Sequence, residues 1–394
     1  MQLRFFETVN VATIILGIWA FSFPFTGAAF HNLLLLLFLI SFLARKENYK
    51  ELAASFTNST VMLSFGLFAL LTATYLFNNT TEQPLSTLLK YKEFVILPFI
   101  AAALISTPSR KFTFKFLYIG VLINLVSSYV MFISGITIEE GAGAFTFTGR
   151  ILHGLLVNIL LASSLYLLNK ETRKKYKLLL IIIIGLAILN IFLIVPGRTG
   201  QLITTVLLLI FFTEKYEKNN VLKNITAYTV ILFSLTLIFN SSDRTRIFNS
   251  ELIPNHSLQN SDQRFSFYIN GIKLITEEPI TGYGIGNVYQ PYLEIKSREG
   301  NKDMFGSSVN LHSQFIQIGV ESGIPAIVIF CLIIMSLIKP YKHLDKKLVL
   351  AIFSIVGIQN LFNSSFMDHG DGWMLTILIA FLVGKYISRR PSTY

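Results

Sequence analysis

Apolar positions along this chain neither alternate with polar ones nor recur at a helical period. They run on for about fifteen to twenty residues and are then cut by Lys, Arg, Pro or Gly. A helix that is apolar all round is at home in lipid, so each run predicts a transmembrane helix. Runs bounded in this way fall at about 9–23, 28–44, 58–77, 93–106, 116–134, 150–168, 178–195, 199–213, 224–240, 324–338, 348–362 and 373–387, which predicts twelve spans. Several are shorter than the roughly 20 residues of a straight span. The interruption Phe23-Pro24-Phe25-Thr26-Gly27 reads as a tight hairpin between the first two, so the first apolar stretch does not look like a cleavable leader.

The basic residues orient the spans. With Arg4 on the cytoplasmic side, the loops that share its side hold Arg45, Lys46, Lys50, Arg110, Lys111 and Lys115, then the cluster from Lys170 to Lys177, and later groups such as Lys339 to Lys347 and Lys385 to Arg390. That is about two thirds of the 33 Lys and Arg residues. The short opposite loops carry Lys90, Lys92, Arg150 and Arg198. The positive-inside rule then places both termini in the cytoplasm, which leaves one long segment, 241–311 between spans nine and ten, on the outer side. The net charge of +11 is an orientation signal and carries no indication of nucleic-acid binding.

Composition agrees with this picture. With 53% hydrophobic and 14% charged residues the chain is a poor candidate for a soluble globule, and the expected fold is a single all-α polytopic membrane domain over 1–394. One cysteine, Cys331, permits neither an internal disulfide nor a cysteine metal cluster. Neither a fixed-period repeat nor matched Gly/Pro-broken helices in two halves is visible, which disfavours a secondary transporter.

Polar chemistry gathers at the outer face. Pro196-Gly197-Arg198-Thr199-Gly200 forms a turn with an arginine at its tip; Arg198 either snorkels to lipid phosphates or offers a planar fork to a diphosphate at a helix N terminus. Ser261-Asp262-Gln263-Arg264 precedes an amphipathic stripe of Phe265, Tyr268, Ile269, Ile272 and Ile275. Ser261 or Asp262 is the expected cap, and Arg264 then sits in the first turn, where the helix dipole prefers an anion. Gly282-Tyr283-Gly284-Ile285-Gly286-Asn287 departs from the dinucleotide fingerprint and reads as a compact turn that aims its flanks. His312 is expected at the start of a short interfacial helix leading through Glu321-Ser322-Gly323-Ile324-Pro325 into span ten, where an imidazole is either a routine hydrogen-bonding group or a base. Asp368 and His369 follow span eleven; one short cluster of this kind is weak support for a metal, and none is expected.

The order of these landmarks resembles the bacterial O-antigen ligases, within the group that includes O-antigen polymerases and protein O-oligosaccharyltransferases. The resemblance rests on Arg198 after span seven, Arg264 ahead of an amphipathic helix, Pro279 with the glycine turn, His312-Ser313 with Gly323 ten residues beyond Ser313, and Asp368 outside span eleven. It covers roughly residues 190 to 370; the first half matches only as hydrophobic spans. Ala326 stands where the family motif often has glycine or a small polar residue, a departure that bears on the subfamily. The resemblance implies a multi-span glycosyltransferase-C-like fold in the bacterial inner membrane. It also implies a periplasmic active site that moves a glycan from an undecaprenyl pyrophosphate carrier to a lipid A-core sugar, without metal or other cofactor.

That reaction suits the residues. Arg198 and Arg264 would take up negative charge on the leaving diphosphate, His312 would deprotonate the acceptor hydroxyl, and Asp368 would orient the base or bind the acceptor. Attack opposite the leaving group would invert the anomeric centre in one step. A polymerase acting on another glycan chain remains an alternative, as does a flippase or transporter, although the latter should carry its polar residues near mid-span.

Overall fold

The computed structural model describes residues 10–77, 85–136, 146–212, 256–298, 310–338 and 344–389, the side chains of 256–265 excepted. Among these residues no strand occurs. The helices are α1 (Val11–Ser22), α2 (Ala28–Leu43), α3 (Glu47–Phe56), α4 (Ser59–Phe77), α5 (Leu85–Leu88), α6 (Glu93–Ala103), α7 (Thr107–Ser134), α8 (Arg150–Leu168), α9 (Lys174–Leu189) and α10 (Arg198–Phe212). They continue with α11 (His256–Glu277), α12 (Tyr289–Arg298), α13 (Gln314–Ser336), α14 (Lys346–Phe362) and α15 (His369–Ile387).

Among the described residues six helical stretches are long and apolar enough to cross a membrane: α4, α7, α8, α9 with its continuation to Ile194, α13 and α15; α2 and α3 taken together would make a seventh. The protein is therefore a multi-pass membrane protein, helical throughout the described residues. The apolar runs at 9–23, 28–44, 93–106, 199–213 and 348–362 are occupied by helices of 11 to 17 residues. The run at 224–240 lies outside the described residues, as does most of the expected outer loop before His256.

Two expectations about boundaries are corrected. Helix α7 starts at Thr107, with Pro108 in its first turn, so Arg110, Lys111 and Lys115 are helical instead of forming a loop. Hydropathy marks where lipid ends, whereas the backbone ladder continues through charges that do not interrupt it. Arg110 is buried and donates to Thr107 Oγ1 at 2.9 Å. Helix α11 begins at His256, so Ser261 and Asp262 lie within it and not at its start, and Arg264 falls in its third turn. No Gly or Pro stands between His256 and Ser261 to stop the helix from starting early.

The chain divides into two compact units. One comprises residues 1–44, 107–254 and 342–358, the other 45–106, 255–341 and 359–394. In the first, α1 packs on α2 and α7, and α8 packs on α7, α9 and α10. Its interior is polar where α7, α8 and the end of α9 meet. Asn190 Nδ2 donates to Ser128 Oγ at 2.9 Å, which leaves Asn190 Oδ1 to accept from His153 Nε2 at 2.8 Å. His153 Nδ1 is then the acceptor for Asn124 Nδ2 and Thr146 Oγ1, each at 3.0 Å. Directly after α9 the coil widens to a π-helical turn over Asn190–Ile194, closed by the Val195 N–H on the Asn190 carbonyl at 2.9 Å. This turn leads into Pro196 and Gly197 and so to Arg198.

In the second unit α13 packs on α4 and α11, α6 on α3, α4 and α15, and α11 on α12. Contacts between α11 and α13 are close because Gly271 and Gly319 lack side chains: a Cβ at Gly271 would collide with Ile316, and one at Gly319 would reach Ile275 at 2.7 Å. Phe267, Leu274, Val288, Tyr292, Ile295, Leu311 and Val320 fill the space between α11, α12 and the start of α13.

Candidate functional site

His312 lies two residues ahead of α13, half-buried, at φ 51°. Among the described residues no other non-glycine has a positive φ. A side chain in the left-handed region costs on the order of 1 kcal/mol or more, so it persists only where the surroundings overdetermine it. They do so here from both sides. The Leu311 N–H donates to Gln317 Oε1 at 3.2 Å, and the His312 N–H to Asn310 Oδ1 at 2.9 Å. The His312 carbonyl accepts from the Tyr268 hydroxyl at 3.1 Å, and the imidazole packs 5.8 Å from the Phe267 ring.

Helix α13 runs only from Gln314 to Ser322 before it bends. Gly323, at φ 75° and ψ −175°, breaks the ladder, and Pro325 follows. The glycine turn is strapped to this kink. Tyr283 and Gly284 donate their N–H groups to the carbonyls of Val320 and Glu321 at 2.8 and 3.0 Å, and the Ile324 N–H reaches the Pro279 carbonyl at 2.8 Å. Gly282, Gly284 and Gly286 all have positive φ. A Cβ at Gly282 would strike the backbone of 320–322, and one at Gly323 the carbonyls of Pro279 and Ile280. The compact turn expected here is thus a clasp that holds α11 and α12 against the bend in α13.

A buried carboxylate sits at the centre of the clasp. Glu321 accepts from the Tyr91 hydroxyl at 2.5 Å, from Gln317 Nε2 at 3.0 Å and from the Gly286 N–H at 3.4 Å. Burial, together with the neighbouring Glu321, holds the Tyr91 hydroxyl well above the ordinary phenol range, so it serves as a donor.

Asp368 stands just before α15, at its N-cap position, and makes no side-chain cap bond. Burial raises its carboxyl above the usual aspartate range, while Lys90 pulls in the opposite direction. The turn that leads to it is tied to the start of α13: Gln314 donates its N–H to the Asn363 carbonyl at 3.2 Å, and its Oε1 accepts the Phe366 N–H at 2.9 Å. Phe366 in turn packs against Phe94 at 4.4 Å and Phe330 at 6.1 Å. Asn363, Ser364 and Ser365 are all buried in this turn. Lys92 Nζ lies 5.6 Å over the Trp373 ring on the same side.

Of the four site residues expected from sequence, three belong to one unit. His312 and the turn before Asp368 meet through Gln314, and Arg264 lies one helical turn ahead of Tyr268 on α11, its own side chain being outside the described residues. Arg198 belongs to the other unit, where it is the exposed first residue of α10; the Gly197 carbonyl accepts the Gln201 N–H at 2.9 Å. Sequence reading passed over Tyr91, Gln317 and Glu321. An acid inside an otherwise apolar stretch was the available signal for Glu321, whereas nothing local links Tyr91 to a partner 230 residues away.

No curated protein matches the chain. A family model described as O-antigen ligase matches residues 142–331, a segment that holds Arg198, Arg264, His312 and the clasp but ends before Asp368. Over that segment the chain is similar to the O-antigen ligase family.

Proposed function

We propose that the protein is an O-antigen ligase in the bacterial inner membrane. In this reading it transfers a glycan from undecaprenyl pyrophosphate to a hydroxyl of lipid A-core on the periplasmic face. The observation that carries the reading is the backbone of His312, which is held in a strained conformation by three separate hydrogen bonds around it, inside the family match. Strain maintained at this expense is characteristic of residues whose orientation matters to chemistry.

In the reaction, the acceptor oxygen attacks the anomeric carbon as the bond to the diphosphate oxygen breaks. The hydroxyl proton passes to His312, the sugar inverts, and undecaprenyl pyrophosphate leaves. Arg198 and Arg264 stabilise the charge that collects on the diphosphate, a contribution of about 3–4 kcal/mol for each preorganised donor, and general-base assistance adds about 10² to 10⁴ in rate. Asp368 holds the acceptor. Neutralisation by guanidinium groups leaves no step that calls for a metal. The glycosyltransferase-C-like arrangement, the twelve spans, the cytoplasmic termini and the single domain over 1–394 with its 241–311 loop belong to the same proposal.

Reconstitution with a carrier-linked glycan tests it. Extension of lipid A-core supports a ligase. Extension of another carrier-linked glycan instead identifies a polymerase, and movement of the carrier across the bilayer without bond formation identifies a flippase.

A further inference from the structure

We infer that Gln317 and Glu321 are positioning residues for His312. This inference rests on the reading of His312 as the base. It starts from an unbroken series of hydrogen bonds. Tyr91 donates to Glu321, Gln317 Nε2 donates to the other oxygen of Glu321, and Gln317 Oε1 accepts the N–H of Leu311, the residue before His312. An amide is suited to the middle position because it must donate at one end and accept at the other. Gln317 and Glu321 are one helical turn apart and both are buried, so their side chains share one face of α13 and face no competing water.

The same carboxylate also receives the Gly286 N–H, while the backbone at 320–321 receives Tyr283 and Gly284. Glu321 thus joins the clasp to the segment that sets the His312 backbone. Without the Gln317 acceptor, the Leu311 N–H loses its partner at a site with 0% exposure, and the left-handed conformation at His312 loses one of its supports. The imidazole would then relax away from the acceptor hydroxyl while the donor's diphosphate contacts stay in place.

The experiment uses the full-length protein in proteoliposomes with carrier-linked glycan and lipid A-core, kinetics being normalised to folded protein. Gln317→Leu should lower kcat by about 10- to 100-fold, the range expected when a reacting group shifts by about an ångström, with the donor KM within about 3-fold of wild type. In a His312→Ala background, Gln317→Leu should cost nothing further, because it acts only through the imidazole. Glu321→Gln, which keeps the volume, should give a smaller loss of kcat with the same unchanged KM. Wild-type kcat in folded Gln317→Leu, or an undiminished additional loss in the His312→Ala background, would overturn the inference. So would collapse of both the Gln317 and Glu321 variants with no kcat change separable from loss of folded protein. Should His312→Ala itself retain full transfer, the assignment of the base fails, an outcome distinct from all of these.

Discussion

The hydroxyl of Tyr268 donates a 3.1 Å hydrogen bond to the carbonyl of His312, and so ties the proposed base to the helix that carries Arg264. A neutral hydrogen bond of this kind contributes about 0.5–1.5 kcal/mol. Tyr268→Phe keeps the ring in its place against the core of α11 and α12 and removes only the donor. Initial rates of glycan transfer should fall by about 2- to 10-fold, with expression and membrane insertion unchanged; rates equal to wild type would show that the bond has no part in orienting the base.

His312 and Arg264 admit a sharper comparison. Asparagine tolerates the left-handed region better than most residues, so His312→Asn preserves the backbone while removing the base. Transfer should drop by about 10² to 10⁴ with the thermal transition of the purified protein within a few degrees of wild type. Arg264→Ala should abolish transfer while carrier-linked glycan still accumulates in cells. Normal capping of lipid A-core in cells carrying either variant would remove that residue from the mechanism.

The clasp is sensitive to a single methyl group. Gly282→Ala and Gly323→Ala each place a Cβ against backbone atoms, at 2.5 Å from the Ser322 nitrogen and from the Ile280 carbonyl oxygen, on a residue whose φ is positive. The conformational penalty alone is about 1–2 kcal/mol, and the collisions add to it because backbone cannot swing aside. Both variants should show lowered apparent melting temperatures in detergent. Gly66→Ala, where nothing lies within 4 Å of the added atom, is the control that should not.

Asp368 links the site to pH. Burial raises its folded-state pKa above the unfolded value, so the folded protein binds this proton more tightly than the unfolded chain does. The stabilisation is therefore complete below the ordinary aspartate pKa and is lost as pH rises through the elevated one. Apparent melting temperature should decline over that interval, and Asp368→Asn, which cannot ionise, should flatten that part of the profile. An identical slope in the variant would assign the dependence to other groups.

Membrane class and some of the spanning segments were legible because lipid imposes a length and composition that water does not, as α4 and α8 illustrate. Helix ends were less so. The boundary of α7 was misjudged because charge ends an apolar run without ending a helix, and the start of α11 because Ser261 and Asp262 are equally at home inside one. His312 and the glycine turn stood out by residue type. Their mutual attachment did not, since it depends on N–H groups of 283 and 284 meeting carbonyls of 320 and 321 across a separation no local pattern records. The Tyr91–Glu321 bond is further from local reading still, because each residue has an ordinary explanation alone.

The widened turn at Asn190–Ile194 bears on how this chain can vary. A π-helical turn amounts to one residue inserted into an α-helix, and here its closing bond, from Val195 back to Asn190, begins on the residue that His153 and Ser128 grip. The bend that leads to the arginine eight positions on from Asn190 is consequently set by counting: adding or deleting a single residue between 191 and 194 would turn the end of this helical stretch about 100° around its axis, whereas exchanging one apolar side chain for another there would not. This stretch is forgiving in its chemistry and strict in its length.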